Sequence, residues 1–305
     1  MFYKNLYIRN PCKISIRNGQ IVVSNDEGRH VVPSDEIGAI VIESRAVTVT
    51  ASFFSICAEH KIVVIFTDEK HMPTSFTLPV SGHSRSSEVA KAQILSTNRL
   101  KSRLWRKIVV SKIVNQSDAA GMFNPKLKKR LAVIARRVKM RDSENVEAEA
   151  AAVYFKNLFT VPMIRRSDDD IRSAALDYGY AVVRACVARS IVGHGMIPQI
   201  GIFHRSGLNP FNLADDLIEP YRPFVDIVVR EMDEEGDFDG EDELTTETKG
   251  RLIRVLESPT SISGGTERLQ SAIDKSAASL KRCFLDGNAD DIELPFVPGH
   301  NEIVL

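Results

Sequence analysis

The sequence predicts an α+β protein in which a small N-terminal β-rich domain precedes a larger all-α C-terminal domain. Short apolar runs separated by turn residues fill the first 80 positions, and Asn18-Gly19 supplies the positive φ angles that tight hairpin turns require. Farther along, apolar residues recur at helical spacing, for example Leu100, Leu104 and Ile108 at i, i+4 and i+8. A length of 305 residues is enough for two domains with a substantial core.

The predicted β-rich domain covers residues 1–80, a polar linker covers 81–87, the helical domain covers 88–290 and an irregular tail covers 291–305. The linker holds a glycine and several serines, which favour a connection followed by a helix N-cap. Strands are predicted at 12–17, 20–24, 30–33, 37–42, 46–50, 62–67 and 74–78, with a short helix at 51–60. Later helices are predicted at 125–139, 146–158, 168–192, 213–232, 245–256 and 265–285.

The formal charge of the chain is zero, but its distribution is uneven. Residues 85–141 hold 16 Lys and Arg against two acids, whereas residues 231–248 hold ten acids and no base. A concentrated basic region is typical of a surface that binds phosphates, because each neutralised phosphate releases condensed counterions. A solvated helical face is the alternative interpretation.

Part of this basic region has helical spacing, since Arg99, Arg103 and Arg106 fall at i, i+4 and i+7. We predict that basic residues of the region contact the phosphates of a nucleic acid. The candidates are Arg99, Arg103, Arg106, Lys128, Lys129, Arg136 and Arg137. The single tryptophan, Trp105, lies beside the arginine stripe and is predicted to be a buried anchor, with base stacking as the alternative.

Other features exclude several classes of protein. The four cysteines lie far apart and form no CxxC pair, which argues against a zinc knuckle and against a disulfide framework. The first residues lack the basic and apolar segments of a signal peptide, and no apolar run approaches the roughly 18 residues that cross a membrane. The expected compartment is the cytoplasm.

A first candidate for chemistry is Glu147, near the start of a predicted helix. Ala150, Ala151 and Tyr154 follow it at i+3, i+4 and i+7 and share its face of the helix. Two alanines on that face would let another helix approach the carboxylate closely, as suits a metal ligand. A simple favourable interaction with the helix dipole is the alternative.

Two further candidates lie near one another in sequence. Gly195, Pro198 and Gly201 interrupt an apolar segment that ends at His204, so this segment is predicted to be an irregular loop that presents the imidazole. Asp216 and Glu219, at i and i+3, share a face of the next predicted helix and could meet one ion. Taken singly, each has a plain structural alternative, a packed histidine and a polar helix N-terminus.

Together these motifs resemble the universal family of CRISPR spacer-integration proteins, the first of the CRISPR-associated proteins. The family pattern is Glu-x-x-Ala-Ala-x-x-Tyr, then Gly-x-x-Pro-x-x-Gly-x-x-His, then Asp-x-x-Glu, and Glu147, His204 and Glu219 fit its three ligand positions. Glu149 competes for the first position but would put Lys156 where the pattern has tyrosine. The segments 177–180 and 211–223 resemble the proteins of type II systems, which are encoded with a single RNA-guided effector nuclease.

The resemblance implies a metal-dependent DNA integrase with endonuclease activity that acts in CRISPR adaptation, an antiviral defence. In such proteins the 3′-hydroxyl of a captured DNA fragment attacks a phosphodiester at the edge of a repeat. Glu147, His204 and Glu219 would be the catalytic metal ligands, with Asp216 as an accessory carboxylate. The implied ion is Mg²⁺ or Mn²⁺, although a His-Glu-Glu site could also hold zinc.

The resemblance also implies partners. The chain would form a homodimer through the β domain, and a small ferredoxin-like CRISPR-associated protein would bridge two dimers into a heterohexamer. The DNA partners would be a double-stranded fragment and the repeat, and the RNA-guided effector nuclease is a further candidate partner. Two other functions stay open from the residues alone, namely a structure-specific metal-dependent nuclease and a DNA-binding scaffold without catalysis.

Overall fold

The structure, a computed structural model, describes residues 4–80, 84–161, 163 and 170–299. The first part of the described chain is rich in strands and contains one helix, α1, at Ala51–Glu59. The strands are β1 Lys4–Ile8, β2 Lys13–Arg17, β3 Gln20–Asn25, β4 Gly28–Val32, β5 Ile37–Ile42, β6 Thr48–Val49, β7 Val63–Thr67 and β8 Pro73–Phe76. Except for β1, these elements follow the predicted pattern closely.

The strands form two four-stranded sheets. In the first sheet the order is β1-β5-β7-β8, with β1, β5 and β7 parallel and β8 antiparallel. Every residue of β5 is buried, as expected for a parallel strand that is covered on both faces. In the second sheet, of order β4-β3-β2-β6, Asn18 and Gly19 join β2 to β3 with φ angles of 51° and 74°, so the predicted hairpin turn is confirmed.

The rest of the described chain is mainly helical. The helices are α2 Ser86–Leu95, α3 Asn98–Gly121, α4 Pro125–Ala135, α5 Val146–Leu158, α6 Ile171–Gly193, α7 Asn212–Leu217, α8 Arg222–Glu234, α9 Thr246–Ile253 and α10 Leu269–Asp286. Thr97 caps the start of α3 by accepting a hydrogen bond from the backbone N–H of Leu100. The second half of α3 is buried on nearly every side, so this helix lies in the centre of the helical core.

Two segments depart from the predicted helices. Instead of one helix over residues 213–232, α7 and α8 are separated by a 3-10 turn at Glu219–Tyr221, where Pro220 and Pro223 lack the N–H groups that a continuous helix needs. Residues 265–268, predicted as helix, form strand β10 of a hairpin with β9, Pro259–Ile262. Ser263 and Gly264 make its turn with positive φ angles.

The predicted fold class is confirmed, since a β-rich N-terminal part is followed by a helical part. The predicted domain bounds stay a prediction. Strand β8 ends before residue 81 and α2 begins within the predicted linker, of which residues 81–83 lie outside the described chain. Residues 300–305 of the predicted tail also lie outside it. Apolar contacts continue across the boundary, because Val41, Val63 and Ile65 of the first sheet belong to the same buried cluster as the helices.

Candidate functional site

Glu147 lies in the first turn of α5, whose bounds agree with the predicted ones. Asn145, just before the helix, adopts a left-handed conformation with φ of 54°. The carboxylate of Asp142 accepts hydrogen bonds from the backbone N–H groups of Val146 at 2.8 Å and Glu147 at 3.0 Å. These bonds satisfy N–H groups that a helix start leaves without partners, so Asp142 fixes the position from which Glu147 projects.

The second acid, Glu219, lies in the 3-10 turn between α7 and α8. Its side chain is 7% exposed, and Oε1 accepts a hydrogen bond from Nε of Arg222 at 2.8 Å. Pro220 and Pro223, which separate α7 from α8, place Glu219 at the start of this turn. The acid is therefore presented from an interrupted helix rather than from a regular one.

Glu147 and Glu219 meet at the ammonium group of Lys112, which lies on α3. Nζ of Lys112 is 2.6 Å from Oε1 of Glu147 and also forms an ion pair with Oε2 of Glu219. The lysine side chain is 10% exposed and that of Glu147 is 22% exposed, so the cluster is largely removed from solvent. The structure thus brings the first and the last predicted ligand to one cation.

The charges of this cluster stabilise one another. Burial alone would raise the pKa of the Glu219 carboxyl, but Arg222 and Lys112 outweigh burial and hold that pKa at about 2. Burial alone would lower the pKa of the Lys112 ammonium, but Glu219 and Glu147 outweigh it and raise that pKa. Both groups are therefore charged across the physiological range.

His204 is held by Asp216. The Asp216 carboxylate lies 2.8 Å from Nδ1 of His204 and also accepts hydrogen bonds from the backbone N–H groups of Ile202, of Phe203 at 3.1 Å and of His204 at 3.0 Å. Gly201 permits this arrangement, since a Cβ atom there would come within 2.8 Å of the Asp216 carboxylate and 2.4 Å of the His204 carbonyl oxygen. The predicted irregular loop is confirmed, and a carboxylate with no exposed surface organises it.

The hydrogen bond to Asp216 raises the pKa of His204 against the opposing effect of burial, and the charge of Glu219 adds to this rise. His204 therefore lies within electrostatic reach of the acid cluster. Its ring also packs edge-on against Trp105, with centroids 5.8 Å apart. Trp105 is 1% exposed and stacks on Phe203 at 4.4 Å, which confirms the prediction of a buried anchor.

The predicted metal ligands are thus gathered only in part. Among residues 4–80, 84–161, 163 and 170–299, no three His, Cys, Asp or Glu side chains form a ready-made metal-binding group. The Glu147–Glu219 pair nonetheless suits a hard cation, because two carboxylates already converge on one positive charge. Asp216, predicted as an accessory ligand, instead has its oxygens engaged by His204 and the loop backbone.

The candidate DNA contacts fall into two groups. Four already have protein partners: Arg103 pairs with Asp290, Arg106 donates to the carbonyl oxygen of Val138, Lys128 pairs with Asp118 and Arg137 pairs with Glu149. The other three candidates are exposed, and their side chains have no hydrogen bond or ion pair within the described chain: Arg99, Lys129 and Arg136. The seven candidates cannot be ranked from the sequence, whereas the structure shows which of them already have protein partners.

Arg106, Arg136 and Arg137 line one open groove of about 870 Å³, together with Lys139. The groove is bordered by residues 143–144, which lead into α5 and Glu147. A basic groove therefore adjoins the helix that carries the first acid. Its basic lining suits a phosphate backbone more than a small apolar ligand.

Sequence reasoning assigned no individual role to Lys112 or Arg222, the two cations that hold the acids. A signal for Lys112 was present, because it continues the stripe of Leu100, Leu104 and Ile108 at the next i+4 position. A lysine on a buried stripe needs acidic partners. No comparable signal marks Arg222, whose contact depends on the break at Pro220.

A family model described as CRISPR associated protein Cas1 matches residues 6–256 of the chain. Over 296 residues the chain is 39% identical to the CRISPR-associated endonuclease Cas1 of Neisseria meningitidis serogroup C, strain 8013. That alignment covers 97% of this chain and 96% of the relative.

Solved structures share the fold at low identity. A casposase bound to integration product superposes with a TM-score of 0.75 and 18% identity, covering 100% of this chain and 96% of the other. A chain of a Cas6-RT-Cas1–Cas2 complex superposes with a TM-score of 0.71 and 18% identity, covering 96% of this chain and 36% of the other. The combination of strand-rich and helical parts is therefore shared with proteins of very different sequence.

Within the part of the chain that the structure describes, none of the helices combines the length and apolar character that crossing a lipid bilayer requires.

Proposed function

The chain belongs to the Cas1 family of CRISPR-associated proteins, and from that premise we propose that it is a DNA integrase with endonuclease activity that inserts short fragments into a CRISPR repeat array. The observation that carries this proposal is the convergence of Glu147 and Glu219 on one cation. These acids come from two separate motifs, 72 residues apart in the chain, and each motif supplies a proposed ligand. The type II character of the segments 177–180 and 211–223 is part of the same proposal.

The proposed metal ligands are Glu147, Glu219 and His204. The two carboxylates supply the hard oxygen ligands that Mg²⁺ and Mn²⁺ prefer, and the imidazole favours Mn²⁺. Since Nδ1 of His204 faces Asp216, Nε2 is the nitrogen left for a ligand. Asp216 would act through His204 by fixing its ring, rather than as a ligand itself. When bound, the divalent ion would stabilise negative charge on phosphoryl oxygens.

The proposed reaction is a transesterification. The 3′-hydroxyl oxygen of the fragment forms a bond to the phosphorus atom at the 5′ end of a repeat strand, and the bond from that phosphorus to the 3′-oxygen of the flanking nucleotide breaks. Because one phosphorus–oxygen bond forms as another breaks, the number of phosphodiester bonds is unchanged. The attacking hydroxyl gives up a proton, and the released oxygen gains one. No protein nucleophile is needed, and the side chains serve to position the DNA and to supply the electrostatic field.

The groove lined by Arg106, Arg136 and Arg137 would hold the DNA backbone beside this site. Contacts to phosphates fix the position of a duplex without reading its bases. Arg136 is the strongest single candidate, because it is exposed and lacks a partner in the described chain.

Lys112 would act as a stand-in cation. Without metal, its ammonium keeps two carboxylates together that would otherwise repel each other. Glu147 and Glu219 would turn to a divalent ion when one is bound, and Lys112 would then no longer be needed to hold them together. In the metal-free protein Lys112 would thus keep the two acids near the positions that metal binding requires.

The proposed assembly follows the family. The chain would pair with itself through the β-rich part, and a small ferredoxin-like partner would join two such pairs into a heterohexamer. The structural relative from a Cas1–Cas2 complex supports a CRISPR-associated partner. Joining a fragment at both edges of a repeat also requires two active sites held at a fixed separation.

A strand-joining assay tests the proposal. The purified chain is incubated with Mn²⁺, a labelled duplex that carries free 3′-hydroxyl ends and a supercoiled plasmid with a repeat, both with and without the small partner. Joined product is expected, and Glu147→Gln and Glu219→Gln should abolish it. Glutamine keeps the shape of the acid, whereas Glu219→Ala would also empty the space between Lys112 and Arg222.

Glu149→Gln is the matched control, because Glu149 is the competing acid of the same helix and pairs with Arg137 at the surface. It should join DNA normally, and the opposite result for Glu147 and Glu149 would reverse the assignment. Cleavage of the plasmid without joining would identify a nuclease. Binding without either reaction would identify a scaffold.

A further inference from the structure

A second polar cavity, of about 250 Å³, lies where the first sheet meets α6 and α10. Its lining shares no residue with the acid cluster, with His204 or with the basic groove. Gly38 and Lys61 come from the β-rich part, Arg189 comes from α6, and Gln270 and Lys275 come from α10. At about 30 Å³ for each water molecule, the cavity has room for roughly eight waters or for one hydrated ion.

Arg189 is the unusual member of this lining. Arg189 is 6% exposed, and its buried Nε has no hydrogen-bond partner. Within the described chain no carboxylate lies at ion-pair distance from its guanidinium group. A buried guanidinium N–H without an acceptor is costly, because it has lost its water without gaining a partner. The missing acceptor is best supplied from the cavity that Arg189 lines.

The two acids of the lining are already engaged by other groups. Glu267 forms an ion pair with Lys275. Oδ1 of Asp274 lies 3.2 Å from Nε2 of His194 and accepts a hydrogen bond from Ser190 at 3.3 Å. With Arg189, Lys61 and Lys275, the lining therefore holds three cations against two paired carboxylates. Its net charge is positive.

The pKa of Asp274 reflects this positive field. Burial would raise that pKa, but His194, Arg189 and Lys61 together hold it at about 2. The lining is also built for close contact, since a Cβ atom on Gly38 would lie only 2.1 Å from the amide of Gln270. The absence of a side chain at Gly38 lets the buried Gln270 amide lie against β5, beside the cavity.

We propose that this cavity binds a phosphate-class oxyanion, with Arg189 as the central ligand and Lys61, Lys275 and the Gln270 amide as supporting groups. Arginine matches a tetrahedral oxyanion because its planar group offers several N–H donors in a fixed geometry. The same chemistry serves free phosphate and the terminal phosphate of a nucleotide. The cavity is separate from the proposed integrase site, so the two proposals stand or fall independently.

The test uses the full chain after dialysis into phosphate-free buffer. Calorimetric titration with inorganic phosphate should show saturable binding of one ion per chain, and potassium chloride at equal ionic strength should not reproduce it. A parallel titration with a nucleoside monophosphate separates the two sources. Equal binding would identify a site for terminal phosphates, and binding of inorganic phosphate alone would identify a closed site for the free ion.

Arg189→Met keeps most of the side-chain volume and removes the charge. It should weaken phosphate binding by roughly 10- to 100-fold, the loss expected for a charge-assisted hydrogen-bonding group. Lys61→Met should weaken binding less, because Lys61 is exposed. Arg29→Met, which replaces an exposed arginine on β4, is the matched control and should bind as the wild type does.

A thermal readout separates this role from a structural one. Without phosphate, Arg189→Met should melt at or above the wild-type temperature, because it removes an unpaired buried charge. With phosphate, the wild type alone should be stabilised. Unchanged saturable binding by Arg189→Met, or no saturable binding by the wild type, would overturn the proposal. Destabilisation of Arg189→Met without phosphate would show that the protein itself satisfies the guanidinium.

Discussion

The ammonium of Lys112 lies 2.6 Å from the carboxylate of Glu147, although one residue comes from the long central helix and the other from the start of a short one. The same ammonium contacts Glu219. A positive side chain thus occupies the space between two acids that are proposed to bind a divalent ion. Because the two acids need a positive charge between them, the requirement of the site for a cation can be measured through the stability of the protein, without any DNA.

Lys112→Met should destabilise the metal-free protein by about 3 kcal/mol, because removing one partner of a buried ion pair leaves the other charges uncompensated. For a protein of this size such a loss corresponds to a melting temperature roughly 5 °C lower. Saturating Mn²⁺ should restore more stability to this variant than to the wild type, since the ion replaces the lost charge. Thermal denaturation with and without Mn²⁺ measures both effects.

Lys107→Met is the control for this prediction, because Lys107 lies on the same helix and pairs with the exposed Asp290. It should change stability by less than about 1 kcal/mol and leave the response to Mn²⁺ unaltered. If Lys112→Met behaves in the same way as Lys107→Met, Lys112 is not a stand-in cation.

Asp216→Asn should weaken Mn²⁺ binding by about 10- to 100-fold, the usual effect of removing the group that orients a histidine ligand. If Asp216 acts through His204, the same substitution should have little further effect in a His204→Ala background. Calorimetric titration of the two single variants and the double variant provides the measurement. Asp215→Asn is the neighbouring control, because Asp215 pairs with Arg184 rather than with His204.

Additive losses in the Asp216→Asn and His204→Ala double variant would instead make Asp216 an independent ligand, as the sequence motif alone suggests.

Much of the fold follows from local patterns in the sequence. The hairpin at Asn18-Gly19 and the bounds of α5 could be predicted because turn chemistry and helical periodicity are properties of neighbouring residues. Strand β1 could not, since it pairs in parallel with β5, which comes after β2, β3 and β4 in the chain, and it carries no alternation of its own. The hairpin of β9 and β10 was likewise not predicted, because residues 265–268 also fit the start of a helix.

The candidate site could likewise be predicted only in part from the sequence. The three motifs identify Glu147, His204 and Glu219 as candidates. They do not predict which basic side chains pair with the two acids in the folded protein. The contact between Glu219 and Arg222 depends on the helix break at Pro220, a feature of tertiary geometry. The i, i+3 spacing of Asp216 and Glu219 predicts an accessory ligand. In the structure the Asp216 carboxylate instead accepts hydrogen bonds from the backbone of residues 202–204, a contact that the spacing does not reveal.

Arg136→Ala should weaken binding of duplex DNA and reduce the slope of log affinity against log salt by about one unit, because it removes one phosphate contact. Arg103→Ala should have a smaller effect, since Arg103 already pairs with Asp290 at 2.7 Å. Fluorescence anisotropy at a series of potassium chloride concentrations measures both slopes. Equal slopes for Arg136→Ala and the wild type would remove Arg136 from the DNA interface.

A buried ion pair joins the β-rich part to the helical part and should make stability depend on pH. Glu43, at the end of the first sheet, accepts hydrogen bonds from Tyr7 and from Nζ of Lys249 at 2.9 Å, and both members of the ion pair are 7% exposed. Burial raises the pKa of Glu43, but its hydrogen bonds to Tyr7 and Lys249 outweigh burial and lower that pKa below the ordinary value of 4.5.

Glu43→Gln should therefore destabilise the protein by about 3 kcal/mol at pH 7, because Lys249 loses its buried counter-charge. A carboxyl whose pKa is lowered by folding stabilises the native state fully above its unfolded pKa, and this contribution disappears as the pH falls through the folded pKa. The difference in unfolding free energy between wild type and variant should thus shrink as the pH falls below about 4.5. Urea denaturation at pH 7, 5, 4 and 3 measures it, with Glu36→Gln, which affects only the exposed pair with Lys4, as the control. A difference that persists unchanged at pH 3 would show that the charge of Glu43 is not what stabilises this contact.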